Sequence, residues 1–119
     1  MEFCSTRSAA LRVSAAEAVL RGLAPDGGLY LPAEIPSVPA AALTAERYAG
    51  TARAVLQSFL PGYTAAELDA ACAAYARFDA PEVAPLRRVR PGLWSLELWH
   101  GPTCDFKDFA LQLLPHLMT

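Results

Sequence analysis

Apolar residues recur at helical spacing in three stretches of the first eighty residues. The pattern predicts helices near residues 15–21, 45–59 and 65–77. The first and third open on a capping-box pattern, in which a hydroxyl residue is followed three positions later by glutamate: Ser14 with Glu17, and Thr64 with Glu67. The middle helix is expected to contribute four side chains to the core: Tyr48, Val55, Leu56 and Phe59.

Short strands are predicted at the N terminus and near Leu29–Leu31, where Pro32 ends the apolar run. The preceding stretch, APDGG, suits a tight turn, with a glycine supplying positive φ. Because the loop carries Leu29, Tyr30, Leu31 and Ile35, we expect it to be ordered and these side chains to be buried.

From Trp94 to Trp99 the side-chain pattern alternates with a period of two residues, as in a strand. Pro91–Gly92 precedes this stretch and suits a turn. A hairpin is therefore predicted, followed by an apolar helix over residues 105–119 with a kink at Pro115. That helix carries apolar side chains around most of its circumference and reaches Thr119 without a stop signal. We expect the chain to be the start of a longer protein, and residues 105–119 to self-associate or to be poorly ordered.

These elements predict an α/β fold in two parts. Residues 1–80 should form a small N-terminal α/β domain with three helices and short strands, and residues 81–119 should begin a second domain with a hairpin and a helix. At 119 residues and 54% hydrophobic, the chain is long enough for one domain and a piece of another.

Composition excludes several classes of function. A formal charge of -2 does not indicate the positively charged surface that binds nucleic acid. No apolar run approaches the roughly 18 residues of a membrane span, and no secretory signal opens the chain, so we expect a cytoplasmic protein. Three separated cysteines, Cys4, Cys72 and Cys104, indicate free thiols, with Cys72 in the core; neither histidine has metal-ligand spacing, so no metal is expected.

Lys107 is the single lysine in a chain with nine arginines, and it lies between Asp105 and Asp108. At a helix start the macrodipole disfavours a cation by about 0.3–1 kcal/mol, and burial along a row with Leu111 and Leu114 would favour the neutral, nucleophilic amine. The two aspartates would instead stabilise the ammonium form. The residues alone leave open a catalytic lysine or a lysine that pairs with Asp108 at a helix end.

Two long blocks resemble one enzyme family. LELWHGPTCDFKDFALQLL resembles the cofactor-lysine segment of threonine synthases, whose pattern runs E-L-aromatic-H-G-P-T-x-x-F-K-D before an apolar helix. CSTRS and VSAAEAVLRGLAPDGGLYLPAEIP resemble the N-terminal domain of the same family, in the same order and spacing. The resemblance covers nearly all of the chain.

The resemblance implies a fold-type-II enzyme that uses pyridoxal 5'-phosphate to convert O-phospho-L-homoserine and water into L-threonine and phosphate. Lys107 would hold the cofactor covalently and act as general base, and Phe106 would lie beside the cofactor. Thr103 would lie near the site or act as a helix N-cap, and Asp108 would fix the helix start or the lysine. Because the phosphate cradle is expected beyond Thr119, residues 1–119 alone should neither retain the cofactor nor be active.

The chain departs from the family pattern at two positions. Ser8 stands where glycine is common, which puts a close backbone approach there in doubt. Asp105 stands where alanine is frequent, and would either stabilise the ammonium form of Lys107 or cap the helix. DGGLY, residues 26–30, is a family hallmark that we interpret as a structural turn.

Two other functions remain open from the sequence. One is a threonine-synthase-like phospho-lyase acting on related phosphorylated amino compounds. The other is a non-enzymatic helical interaction domain, in which Lys107 only caps a helix.

Overall fold

The computed structural model describes residues 1–44 and 47–118. Its α-helices are α1 (Ala15–Arg21), α2 (Tyr48–Phe59), α3 (Ala65–Cys72), α4 (Asp108–Leu111) and α5 (Leu114–Leu117). Its β-strands are β1 (Glu2–Ser5), β2 (Arg12–Ser14), β3 (Tyr30–Pro32), β4 (Leu86–Arg90) and β5 (Leu93–Leu96). Two 3₁₀ turns, Ala40–Thr44 and Ala73–Arg77, lie before α2 and after α3.

The first sheet is antiparallel, with strand order β2-β1-β3. Phe3 in its central strand lies opposite Val13 on one side and Pro32 on the other. The sequence pattern predicted β1 and β3 but missed β2. That strand has only three residues and runs directly into α1, so it is too short for alternation to reveal it.

Both predicted N-caps form. The Ser14 hydroxyl accepts from the backbone N–H of Glu17 at 3.2 Å, but Glu17 does not complete a box, because its carboxylate pairs with Arg21 at 2.6 Å. The Thr64 box is complete: its backbone N–H donates to Glu67 at 2.7 Å and its hydroxyl accepts from the Glu67 amide at 3.3 Å. Hydrogen bonds from the backbone and hydroxyl of Thr64 lower the pKa of Glu67.

The core lies on α3 and its 3₁₀ continuation, which together end at Arg77 as predicted. Leu68 and Ala71 are wholly buried, and Cys72 is 2% exposed. The prediction of a core thiol is therefore confirmed, and burial raises the pKa of Cys72. The rest of this cluster includes residues from the loops and from α5: Leu60, Tyr75, Phe78, Val83, Leu113 and Leu117.

The second helix covers one side of this core. Tyr48, Leu56 and Phe59 pack against it and are half-buried, as is Val55, so the predicted core face is confirmed although none of the four is fully buried. The predicted start at residue 45 lies outside the described residues.

The segment around β3 differs from expectation, because its large aliphatic side chains are not buried. Leu29 is 59% exposed, Leu31 53% and Ile35 85%. Side chains alternate along a strand, and the register that half-buries Tyr30 and Pro32 turns Leu31 towards solvent.

Residues 105–119 do not form one helix, which corrects the sequence prediction. Pro115 has no N–H to bond to the carbonyl of Leu111, and its ring crowds that carbonyl, so α4 ends at Leu111 and α5 starts again at Leu114. Leu113 and Leu117 are buried in the core, against α3.

Phe109 is half-buried against this core, whereas four other large apolar side chains of the segment are exposed: Phe106, Leu111, Leu114 and Met118. The apolar circumference is therefore partly covered by the chain itself. Self-association through residues 105–119 stays a prediction, as does the domain boundary at residue 80.

The predicted hairpin is present, with β4 antiparallel to β5 and Gly92 at φ 78° in the turn. Both strands are largely exposed, and their apolar side chains do not reach the core. No helix among the described residues is long and apolar enough to cross a membrane.

Truncating Leu68 to alanine is expected to lower the free energy of unfolding by about 2–5 kcal/mol, because a wholly buried leucine leaves a cavity in the core. Urea unfolding followed by circular dichroism measures this. Leu20→Ala is the matched control: Leu20 is 57% exposed, and its loss should change the same free energy by no more than about 0.5 kcal/mol. Equal effects of the two variants would contradict the placement of the core.

Candidate active site

Lys107 lies at the start of α4 on a well-bonded backbone. Its N–H donates to the Asp105 carboxylate at 3.1 Å, and its carbonyl accepts from the amides of Ala110 and Leu111 at 3.0 and 2.8 Å. Asp105 therefore holds the turn that leads into α4, and the helix itself has no side-chain cap.

The side chain of Lys107 is 61% exposed, and its Nζ lies 3.4 Å from Asp105 Oδ2. The expected burial along a row with Leu111 and Leu114 does not occur, because the helix breaks after Leu111 and the amine points into solvent. The expected alternative, a pair with Asp108, does not form either.

Asp108 instead turns inward and is completely buried. Its carboxylate accepts from the N–H of Thr103 at 2.7 Å, from the Thr103 hydroxyl at 3.0 Å and from the amide of Gln112 at 3.5 Å. Burial opposes ionisation of Asp108, but these hydrogen bonds outweigh it and hold its pKa below the ordinary value. Thr103 is thus a donor to Asp108 and not an N-cap, which corrects that alternative.

The turn from Gly101 to Asp105 is shaped around this carboxylate. A Cβ on Gly101 would overlap the Cβ and Oδ2 of Asp108 and lie 2.7 Å from its Cγ. Cys104 has φ 56°, an uncommon conformation for a residue other than glycine, and its N–H donates to the Gly101 carbonyl at 3.0 Å. The glycine is therefore required by close approach, and the turn fixes where α4 begins.

Phe106 is 67% exposed and lies next to Lys107 in the chain. It lines an open apolar groove of about 500 Å³ whose other walls come from α2, α4 and the residues around the hairpin: Tyr48, Ala84, Leu96, Leu98 and Phe109. The residue before Lys107 therefore presents an exposed aromatic ring to this groove.

His100 is a residue of this region whose role sequence reasoning missed. Its Nδ1 lies 2.6 Å from Asp79 Oδ1 and its Nε2 lies 2.8 Å from Glu97 Oε2. Hydrogen bonds to Glu97, then to Asp79, raise the pKa of His100 above its ordinary value. The spacing to Glu97 could have suggested one contact, but Asp79 is 21 residues away and gave no signal.

A second cluster joins the other two family-like blocks. The Ser5 hydroxyl is within hydrogen-bonding distance of both carboxylate oxygens of Asp26, at 2.7 and 2.9 Å, and the Gly28 N–H donates to Asp26 at 2.9 Å. Arg7 donates to the Asp26 carbonyl at 3.0 Å. The Ser5 hydrogen bond is the main cause of a lowered Asp26 pKa. A Cβ on Gly28 would overlap Ser5 Oγ, so this cluster holds a turn in place.

Within the described residues, no group of three or more His, Cys, Asp or Glu side chains could hold a metal ion. The group suited to hold a covalent cofactor is the Lys107 amine, the single lysine side chain of the sequence. It is exposed and carried on a fixed backbone, and its neighbours Asp105 and Phe106 are accessible too.

Comparison with known proteins identifies the family. The family model described as "Threonine synthase N terminus" matches residues 2–75 of this chain. The chain belongs to the threonine synthase family. Threonine synthase of Schizosaccharomyces pombe is 41% identical over 123 residues, covering 98% of this chain and 24% of that protein. Threonine synthase of Pseudomonas aeruginosa is 40% identical over 123 residues, covering 99% of this chain and 26% of that protein.

Solved threonine synthases have the same fold over this region. The crystal structure of pyridoxal-phosphate-bound threonine synthase from Brucella melitensis matches with a TM-score of 0.90 and 42% identity, over 99% of this chain and 26% of that one. The yeast threonine synthase structure matches with a TM-score of 0.84 and 36% identity, over 98% of this chain and 25% of that one. The chain thus spans about a quarter of the length of these relatives.

Proposed function

We propose that this chain is the amino-terminal part of a cytoplasmic, pyridoxal-phosphate-dependent threonine synthase that converts O-phospho-L-homoserine and water into L-threonine and phosphate. The observation that carries the proposal is the accessible amine of Lys107, held at the start of α4 by Asp105 in a chain of this family. Since the chain spans about a quarter of the length of its relatives, the activity is proposed for a protein that contains this chain and not for residues 1–119 alone.

The residues present fit a covalently held cofactor. A cofactor aldehyde needs a primary amine, and Lys107 supplies the single ε-amine of the chain, 61% exposed. Its backbone is fixed on both sides, by Asp105 before it and by the buried Asp108 after it. An accessible amine on a rigid backbone is what precise placement of a cofactor requires.

When bound, pyridoxal phosphate supplies an electron sink for negative charge that develops on substrate carbons. Lys107 Nζ would hold the cofactor and, once released, would take up and return protons at those carbons. Phe106 would shield one side of the site from water. Thr103 and Asp108 act through the backbone, because the two hydrogen bonds that Thr103 donates to the Asp108 carboxylate fix the turn that carries the lysine.

The larger architecture is part of the same proposal. We assign the hairpin β4–β5 and the helix α4 to the beginning of a fold-type-II catalytic domain that starts near residue 81. The groups that hold the cofactor phosphate and its ring nitrogen would then come from residues beyond Thr119. Residues 1–119 alone should therefore bind the cofactor no better than an ordinary surface amine does.

Steady-state assay of the full-length protein tests the reaction. With O-phospho-L-homoserine, we expect L-threonine and phosphate in equal amounts, and none of either from residues 1–119 alone. Phosphate release without threonine would reject the synthase. A full-length protein that binds no cofactor would favour the non-enzymatic interaction domain.

A second candidate is a threonine-synthase-like phospho-lyase, because a relative named threonine synthase-like matches this chain too. Human threonine synthase-like 2 is 39% identical over 117 residues, covering 93% of this chain and 24% of that protein, nearly the identity of the synthases. Competition between O-phospho-L-homoserine and other phosphorylated amino compounds separates the two. The synthase should prefer the first by its kcat/KM, whereas the phospho-lyase should release phosphate from another substrate faster.

A further inference from the structure

Both ring nitrogens of His100 face carboxylate oxygens. Nδ1 lies 2.6 Å from Asp79 and Nε2 lies 2.8 Å from Glu97. A neutral imidazole has one N–H donor, and an ionised carboxylate only accepts, so a neutral His100 would leave one nitrogen lone pair against a carboxylate. The doubly protonated ring satisfies both contacts. The geometry alone therefore favours the imidazolium form.

The other charged groups near this pair are arranged around Glu97. Arg87 Nε lies 3.9 Å from Glu97 Oε2, and Arg87 Nη1 lies 3.4 Å from Glu82. The Trp99 ring stacks on the imidazole with centroids 5.7 Å apart. Hydrogen bonds to Glu97 and Asp79 raise the pKa of His100, and partial burial opposes them without cancelling them. The imidazole is 18% exposed and Glu97 20%, which protects their contact from full solvent screening, whereas the Asp79 side chain is 79% exposed and its contact is screened more strongly.

This pair ties the lysine-bearing turn to the end of the α3 region. The backbone N–H of Asp79 donates to the His100 carbonyl at 3.0 Å, so the side-chain and main-chain contacts join the same two residues. Gly101, the next residue, lies directly on the buried Asp108, which in turn binds Thr103. A change at His100 therefore acts on the first residue of the turn that leads to Lys107.

We propose that His100, doubly protonated and bridging Asp79 and Glu97, is a positioning residue for Lys107 that fixes the start of the turn carrying the lysine. This deepens the proposed function, on which its catalytic consequence rests. The two contacts of His100, with Asp79 and Glu97, form what we call the clamp. The clamp lies within the described residues and needs no cofactor.

The dependence on pH follows from the sign of the shift. A histidine whose folded pKa lies above its ordinary value of 6.5 adds stability that is fully present below 6.5 and is lost as pH rises through the folded pKa. Above that point His100 keeps one N–H, and one of the two carboxylate contacts turns repulsive. The first residue of the turn should then be held less firmly, and the environment of the Thr103 and Lys107 backbone amides should change.

Nuclear magnetic resonance titration of the 119-residue chain tests the clamp directly. We expect the His100 ring to titrate above 6.5, and the backbone amides of Thr103 and Lys107 to shift with the same midpoint. Glu97→Gln and Asp79→Asn should each move that midpoint back towards 6.5. Glu17→Gln removes a carboxylate from a distant ion pair with Arg21 and should leave it unchanged. Amides that do not follow the His100 midpoint would overturn the proposal.

A second arm uses the full-length protein loaded with pyridoxal phosphate. His100→Gln should lower kcat by about 10- to 100-fold with little change in KM, because a slightly misplaced catalytic group costs rate and not substrate affinity. In the wild type, kcat should fall as pH rises through the His100 pKa, and this fall should be absent in the variant. An unchanged kcat, or an alkaline limb that persists, would reject the positioning role.

The titration and the kinetic experiment together distinguish failure of the proposed function from failure of the positioning role. If the wild-type full-length protein holds no covalent cofactor while the amides of Thr103 and Lys107 still titrate with His100, the proposed function fails and the clamp stands. If the protein holds the cofactor and those amides are silent, the positioning proposal fails alone.

Discussion

Replacing Lys107 with alanine in the full-length protein is expected to abolish covalent binding of pyridoxal phosphate and to lower kcat by at least about 1,000-fold. The reason is chemical, since the chain has one lysine and its accessible amine has no substitute among residues 1–119. Treatment of the wild-type protein with borohydride in the presence of the cofactor should label a single peptide, the one that contains residue 107. Mass spectrometry after proteolysis measures that label.

Lys107→Arg is the informative control for this result. Arginine keeps the positive charge and can keep the ion pair with Asp105, but it has no primary amine to react with an aldehyde. Both variants should therefore fold with wild-type stability and lack the label. A reducible label that persists in Lys107→Ala, or that maps to a peptide without residue 107, would show that the lysine has been assigned wrongly.

Replacing Gly101 with alanine should have the second largest effect on the cofactor site, after the loss of the lysine. The new methyl group would overlap the buried Asp108 side chain, so either the turn or α4 must move. Overpacking of this kind typically costs about 1–3 kcal/mol of unfolding free energy, and here it should also break the hydrogen bonds from Thr103 to Asp108. In the full-length protein we expect loss of cofactor retention during gel filtration.

Gly62→Ala gives the matched comparison, because nothing lies within 4 Å of a Cβ placed on Gly62. It should unfold at the same urea concentration as the wild type and keep the cofactor. In Gly101→Ala, the Thr103 amide resonance should lose its hydrogen-bonded shift. If that resonance and the cofactor were both retained, the close packing of Gly101 on Asp108 would not be what sets the position of the lysine.

Local sequence determined the elements that depend on neighbouring residues. Ser14 and Thr64 cap their helices where their positions predicted, and Pro91–Gly92 makes the hairpin turn. The motif around Lys107 indicated the family, which the comparisons confirm. Caps and turns form between residues a few positions apart, so the residue types themselves specify the hydrogen bonds.

The lysine segment shows where local reasoning stops. Its composition predicted one helix with a kink at Pro115, and left open whether Lys107 is buried or pairs with Asp108 at the helix end. Pro115 predicted a kink, but not that Leu113 and Leu117 would dock on α3 while Lys107 stays exposed. Helical periodicity describes a face, and only the packing of that face against another element decides which side chains are covered.

Tertiary structure alone decided the contacts between residues distant in sequence. Asp79 meets His100 across 21 positions, and Ser5 meets Asp26 across the same separation. Asp108 lies near Thr103 in sequence, yet its inward orientation depends on the backbone of Gly101 leaving room for it. Such polar pairs leave no periodic pattern in the sequence. They become energetically favourable only when the core around α3 brings their backbones together. The sequence therefore showed which residues could form hydrogen bonds, but not with which partners.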